Sequence, residues 1–365
     1  MIDSRPSNGS TAGAIYGSTP AGPTGGPTAE PTAKPTVADL GEHEVLRRLH
    51  QFCDSVVGDD GAIQSLPAGE RLVVTTDVLV DGVHFCDRTL PPNALGWRAA
   101  AVNLSDLAAM GATPMGLTIG LTLPADTPWP WLGELYQGIT DCLQHHGGAI
   151  IGGDLCRGEH RSLAITALGS VQPHQALYRN RAQPGQTLVT TGAHGASRAG
   201  LALLLGELAP ELDPNNGPDD QSWIQAHQRP VPRFDAIAIL RQLSPEGTAT
   251  IAAMDTSDGL ADAIIQICTQ SQVGATLFSS QLPLPSGLGN RVGSATAQNW
   301  SLYGGEDFEL VLSLPPDMAR DFIKQLPGSR VVGQTTLEPG IRLVDDVTQA
   351  PDVWLDQTQG YRHFA

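Results

Sequence analysis

Cysteine is scarce: five in 365 residues, at positions 53, 86, 142, 156 and 268, with no C-x-x-C pair. That scatter offers no thiol metal site and no disulfide framework, and it predicts a reducing compartment, the cytoplasm. Long apolar runs are missing too. No stretch approaches the ~20 residues of a membrane span. Basic residues are few, 21 against 38 acidic ones for a net charge of −17, and no Lys/Arg-rich run occurs, which argues against a nucleic-acid surface. There is no G-x-x-x-x-G-K-[ST] loop and no kinase-type Gly-rich loop with a partner lysine, and Gly192-Ala193-His194-Gly195 is too short to count as a phosphate cradle. If the ligands are phosphates, bulk electrostatics cannot hold them on this chain and they must arrive with metal.

At 365 residues the chain is long enough for two domains with proper cores, and its 41% apolar content is that of a soluble globular protein. Residues 1–40, rich in Pro, Gly, Thr and Ser, lack the side chains to build a core and are expected to be a disordered tail. Helical spacing of Val45, Leu46, Leu49 and Phe52 opens the folded part. Strands are predicted at Leu72–Val74, Met115–Leu123, Ala149–Ile151, Ser162–Val171, Gln186–Gly192 and Ile251–Met254. Helices are predicted from Pro91-Pro92 to Met110 with Gly111 past the end, over 128–147, from about Ser197, over Arg233–Leu243 and from Gly259. Asp213–Gln228 reads as an exposed loop. Strands and helices alternate throughout, which predicts an α/β or α+β fold with domains at 41–173 and 174–365.

Acidic residues recur beside glycine or at predicted strand ends. Gly58-Asp59-Asp60-Gly61 is turn chemistry that crowds carboxylates, and Thr75-Thr76-Asp77 follows a short buried strand. Asp154 follows Gly152-Gly153, and Asp255-Thr256-Ser257-Asp258-Gly259 leads into a helix. Glu306 and Asp307 follow Gly304-Gly305. Each has an ordinary alternative: Asp258 as a helix cap, Asp106 as a solvated helix residue, His84 as a structural histidine, Arg179 as surface charge. Together they are better explained as a carboxylate array that stays ionised by gathering cations, and hard oxygen ligands of this kind suit Mg²⁺.

The segments GDDGAI (58–63), TTDVLVDGVHF (75–85), AVNLSDLAAMGA (101–112), GGD (152–154), DTSDGL (255–260), YGGEDFEL (303–310) and GYRHF (360–364) resemble the thiamine-monophosphate kinase family, in the aminoimidazole ribonucleotide synthetase-like superfamily. The likeness runs from about Gly41 onward; one departure is Gly61, where the family's form has Cys. The resemblance implies a two-domain α/β (α+β) fold whose amino-terminal sheet pairs with that of a second subunit, making a homodimer. It implies ATP-dependent phosphorylation of thiamine phosphate to thiamine diphosphate, with several Mg²⁺ ions and ATP as co-substrate. By motif position, Asp60, Thr75, Thr76, Asp77, Asp106, Asp154, Asp255 and Asp258 would hold metal, five of them (Asp60, Asp77, Asp106, Asp154, Asp255) being the catalytic set. Tyr136, Gly153, Asp154, Arg179 and Ser257 would contact ATP, and His84, Glu306 and Tyr361 would contact thiamine phosphate. The rivals are a sister enzyme of the superfamily, which would need a reactive cysteine, and a non-catalytic divalent-cation-binding protein.

Overall fold

Small residues decide how the amino-terminal half packs. In the computed structural model, which describes residues 34–210, 220–348 and 350–360, that half runs α1 (Val37–Leu40), α2 (Glu42–Leu49), β1 (Arg71–Val80), α3 (Pro92–Ala109), β2 (Thr113–Leu123), α4 (Trp129–His146), β3 (Ile150–Arg157) and β4 (Ser162–Val171). Its sheet has the order β1-β4-β2-β3, antiparallel except for the β2–β3 pair. Helix α3 is almost wholly buried and crosses α4 at glycines. A Cβ on Gly96 would lie 1.9 Å from Leu135 O, and one on Gly138 would lie 1.9 Å from Asn93 O, so only glycine allows this approach. The helix ends in a Schellman motif at Gly111 (φ 68°), whose N–H bonds Ala108 O while that of Ala112 bonds Leu107 O.

The remainder contributes β5 (Thr187–Thr190), α5 (Ala196–Leu205), α6 (Asp220–Gln228), α7 (Phe234–Leu243), β6 (Ala252–Asp255), α8 (Leu260–Ser271), β7 (Gly274–Phe278), α9 (Leu288–Val292), α10 (Ser294–Tyr303), β8 (Leu310–Leu314), α11 (Pro316–Gln325), β9 (Arg330–Thr336), β10 (Gly340–Val344) and β11 (Val353–Leu355). These strands form one mixed sheet, β11-β10-β7-β9-β5-β8-β6, in which only β7–β10 is parallel. Helix α3 touches β1, β2 and β4 of the first sheet and β6 of the second, so it is the element that both sheets share. Among the described residues no helix is long and apolar enough to cross a membrane.

Four expectations change. Val37–Leu40 is a helical turn rather than part of a tail, because Thr36 and Asp39 cap each other and Val37 N–H bonds Thr127 O at 2.9 Å; residues 1–33 lie outside the described part. Part of the expected loop at 213–228 is α6, which buries Trp223 and His227 one turn apart; 211–219 are not described. Strand β1 continues to Val80, so Thr75–Asp77 lie within it, and β3 continues to Arg157, so Asp154 is internal to that strand. In both cases pairing with a long partner, β4 or β2, overrides the local signal.

Candidate active site

Side chains of a strand alternate between faces, and β1 therefore separates its own motif. Thr75 and Asp77 point toward α3, where the Thr75 hydroxyl donates to Asp106 Oδ2 and the fully buried Asn103 accepts from Asp77 N–H at 3.2 Å. From the same turn of α3, Ser105 donates to Asp255 Oδ2 at 3.2 Å, and Ser257 donates to Asp255 Oδ1 at 3.3 Å. Asp255 ends β6 and is 2% exposed. Four carboxylates from three elements thus feel one another. Burial, then the charges of Asp106 and Asp258, raise the carboxyl of Asp77 to about 6. Burial, then Asp106, raise that of Asp255 to about 7. Asp106 is raised by burial as well, eased by the Thr75 hydrogen bond and by the guanidinium of Arg179. Arg179 is half-buried, and its Nη1 donates to Gln266 Oε1 at 2.8 Å. An excess of buried, mutually repelling oxygen donors over local positive charge suits hard divalent cations. Asp258 is exposed just before α8, whose N-cap is Gly259, so it is not that helix's cap.

The turn that precedes β8 closes one side of this cluster. Glu306 (φ 61°) and Phe308 (φ 51°) adopt left-handed backbone, which costs ~1–3 kcal/mol per residue and persists where surrounding contacts impose it. Glu306 N–H bonds Ser257 O at 2.7 Å, and Thr256 N–H bonds Glu309 O at 2.9 Å, tying the GGEDFE turn to the DTSDG turn. Asp307 accepts from the N–H groups of Gly195 (2.7 Å) and Ser197 (2.9 Å) at the start of α5. A carboxyl group of the chain itself thus takes up the amides at the start of α5.

The opposite face of the first sheet carries a second group. Thr76 shares a hydrogen bond of 2.8 Å with Thr166, and the next strand adds Thr118 in the same row. By the same alternation Asp154 faces this side, exposed on β3. A cavity of about 440 Å³ opens here, lined by Asp60, Gly61, Leu66, Leu72, Ile151 and Gly153 among others. The predicted residues therefore fall into two sets. Thr75, Asp77, Asp106, Asp255, Ser257 and Asp258, with Arg179 and Glu306, converge around α3; Asp60, Thr76, Gly153 and Asp154 lie on the open face. Among the described residues no three or more His, Cys, Asp or Glu side chains form a ready-made metal cage. Any metal held here would complete its shell with water or ligand oxygens.

His84 follows β1 and accepts from Val80 N–H through Nδ1 at 3.1 Å, a local structural bond. Tyr136 is a core residue of α4, 6% exposed, its ring 5.9 Å from that of Phe52; it joins neither set. Tyr361 lies outside the described residues. Sequence reading did not single out Arg98, Asn103 and Ser105. The signal was present: with Asn93 and Asp106 they are the five polar residues of a largely apolar, alanine-rich helix.

Comparison with known proteins bears on the family and the fold. Residues 58–171 match the family model of AIR synthase related protein, N-terminal domain. A thiamine-monophosphate kinase of Synechococcus elongatus is 47% identical over 335 residues, 90% of this chain and 98% of that one. The chain belongs to the thiamine-monophosphate kinase family. An Escherichia coli K12 thiamine-monophosphate kinase is 36% identical over 85% of this chain and 91% of its own. The crystal structure of the Stenotrophomonas maltophilia family member superposes with a TM-score of 0.71 at 33% identity, covering 84% of this chain and 96% of that one. AaThiL complexed with AMPPCP and TMP gives 0.67 at 28% identity, covering 88% and 99%. Hydrogenase maturation protein HypE of E. coli, at 18% identity and a TM-score of 0.70 over 86% of this chain and 96% of its own, shares the fold.

Proposed function

We propose that this chain transfers the γ-phosphoryl group of ATP to thiamine phosphate, giving thiamine diphosphate and ADP. The observation that carries the reading is the convergence of Asp77, Asp106 and Asp255 beside Arg179, at the junction of the two sheets, in a chain of this family. It is strengthened by the relative that was crystallised with AMPPCP and TMP.

Both reactants are anionic, so their approach needs concentrated positive charge. Thr75, Asp77, Asp106, Asp255 and Asp258 on one face, and Asp60, Thr76 and Asp154 on the other, are the residues we assign to Mg²⁺. When bound, the ions supply the charge that neutralises phosphate oxygens. The chain's own residues position. Arg179 adds a fixed guanidinium beside Asp106; Ser257 and Gly153 are assigned to the nucleotide, together with Tyr136, whose buried ring would act by packing. Glu306, His84 and Tyr361 are assigned to thiamine phosphate. A phosphate nucleophile needs no strong base, so transfer is direct and in line, with no phosphorylated enzyme.

The same proposal includes the domain division, a tail followed by domains at 41–173 and 174–365, with the start of the first moved back to include α1. It also includes a homodimer through the open face of the first sheet, where Leu72, Val74 and Val78 of edge strand β1 are 52%, 55% and 49% exposed. A cytoplasmic location is consistent with five free cysteines.

The test is ADP release from ATP and Mg²⁺ with thiamine phosphate, with thiamine and aminoimidazole precursors run in parallel. Turnover with thiamine phosphate alone, yielding the diphosphate, is the expected result. Turnover only with another acceptor would move the chain to a sister activity. Silence with every acceptor, joined to equal binding of Ca²⁺ and Mg²⁺, would make it a cation-binding protein.

A further inference from the structure

We infer that Arg98 is the positioning residue for Glu306, and that through it α3 sets the spacing between the acceptor's two ends; the substrate part of this rests on the kinase reading above. Arg98 lies on α3 eight residues before Asp106, which places the two ~12 Å apart along the helix axis. Its side chain is 1% exposed, and Nη2 stands 2.5 Å from Glu306 Oε1 as an ion pair without in-line hydrogen-bond geometry. Nη1 donates to the main-chain oxygen of His227, and the Phe308 ring centroid lies 5.4 Å from the guanidinium carbon. The fork therefore grips the turn before β8 and the end of α6 from one helix.

The neighbouring histidine does not compete for the carboxylate. His227 is held neutral by burial and by the charges of Arg98 and Arg198. Its Nδ1 accepts from the Ser197 hydroxyl at 3.0 Å and stays 3.9 Å from Glu306 Oε2. Glu306 remains 35% exposed with Oε1 occupied, so Oε2 is the oxygen left to face a ligand. A buried, fully charged arginine opposite a left-handed glutamate explains why Glu306 keeps a backbone conformation that it would otherwise leave. Thiamine phosphate carries an aminopyrimidine at one end, a cationic thiazolium ring in the middle and its phosphate at the other end. Glu306 suits the first end, and the carboxylates around Asp106 suit the second through their cations. Arg98 and Asp106 on one rigid helix then fix the distance between the two subsites.

The experiment measures kcat, acceptor KM and ATP KM for the wild type, Arg98→Gln, Arg98→Lys, Glu306→Gln and the Arg98→Gln/Glu306→Gln pair. It also follows backbone hydrogen exchange across 304–309. Expected are a rise of about tenfold or more in thiamine phosphate KM for R98Q with ATP KM within about twofold, recovery of most of that loss in R98K, and little further loss in the double variant. Exchange at the Glu306 amide, which donates to Ser257, should accelerate about tenfold in R98Q. An unchanged acceptor KM, an equal rise in ATP KM, or full additivity in the double variant would overturn the inference. Should R98Q lose its cooperative melt, Arg98→Met takes its place in the same cycle with Glu306→Gln, and additivity there overturns it. Should the wild type not turn over thiamine phosphate, the kinase reading is what has failed. The exchange rates then decide by themselves whether Arg98 holds Glu306.

Discussion

Asp106 has an ordinary identity in isolation, a polar residue off the apolar stripe of a helix. What changes its meaning is the company that folding brings: the Thr75 hydroxyl, the guanidinium of Arg179, and the charges of Asp77 and Asp255. Sequence alone shows acidic residues beside glycines, but only the tertiary arrangement shows which ones meet. Asp106, Asp77 and Asp255 were legible as a set because their motifs are distinctive. Ser105 and Arg98 were not, because nothing in the helix marks them as buried and their partners lie 150 and more than 200 residues away in sequence. Asp106→Asn keeps the shape and the hydrogen bond from Thr75 while removing the charge. Turnover should fall ~10²-fold, about 2.7 kcal/mol in the barrier, as for loss of one charge-stabilising group. Steady-state kinetics at saturating Mg²⁺ measures this, and near-normal turnover would take Asp106 out of the site.

Among the elements, long periodic ones were legible and short or coupled ones were not. Helices α3 and α4 start at prolines, stop at glycines and are rich in apolar residues; the full lengths of β1 and β3 depend on partners far away in sequence. The start of α5 shows the limit well. Nothing near Gly195 and Ser197 in sequence shows that their amides are taken up by Asp307, more than 100 residues downstream. Burial pushes that carboxyl from 3.8 to about 7, against the two N–H bonds that lower it. A carboxyl with a raised folded-state value binds more protons folded than unfolded, so stability is lost as pH rises from about 4 through 7 and is unaffected below that range. Asp307→Asn removes this titration and keeps an oxygen for the amides. The stability of the variant relative to wild type should therefore improve between about pH 5 and about pH 8, by on the order of 1 kcal/mol or more. Urea unfolding at the two pH values reads it directly. A constant difference would mean that Asp307 ionises in the fold without cost.

At the scale of the whole molecule, the sheet of the first half works on both faces. One face packs on α3 and holds the carboxylates that the second sheet completes. The other presents Leu72, Val74 and Val78 on an edge strand that pairs only with β4, beside the cavity containing Asp60 and Gly153. An exposed apolar edge strand is an aggregation hazard unless something covers it. Three residues cannot supply the ~800 Å² per partner of a stable interface, so a contact between two copies here would have to extend over the whole open face. A second copy would then also wall the cavity, making assembly a condition for nucleotide binding. Val74→Glu with Val78→Glu puts two charges on that face without touching any assigned site residue. Light scattering after gel filtration should show the wild type as two chains and the variant as one, with ATP KM raised more than acceptor KM. A monomeric wild type would remove the dimer. A variant still of two chains would place the contact elsewhere and leave the apolar face of β1 to be explained by some other cover.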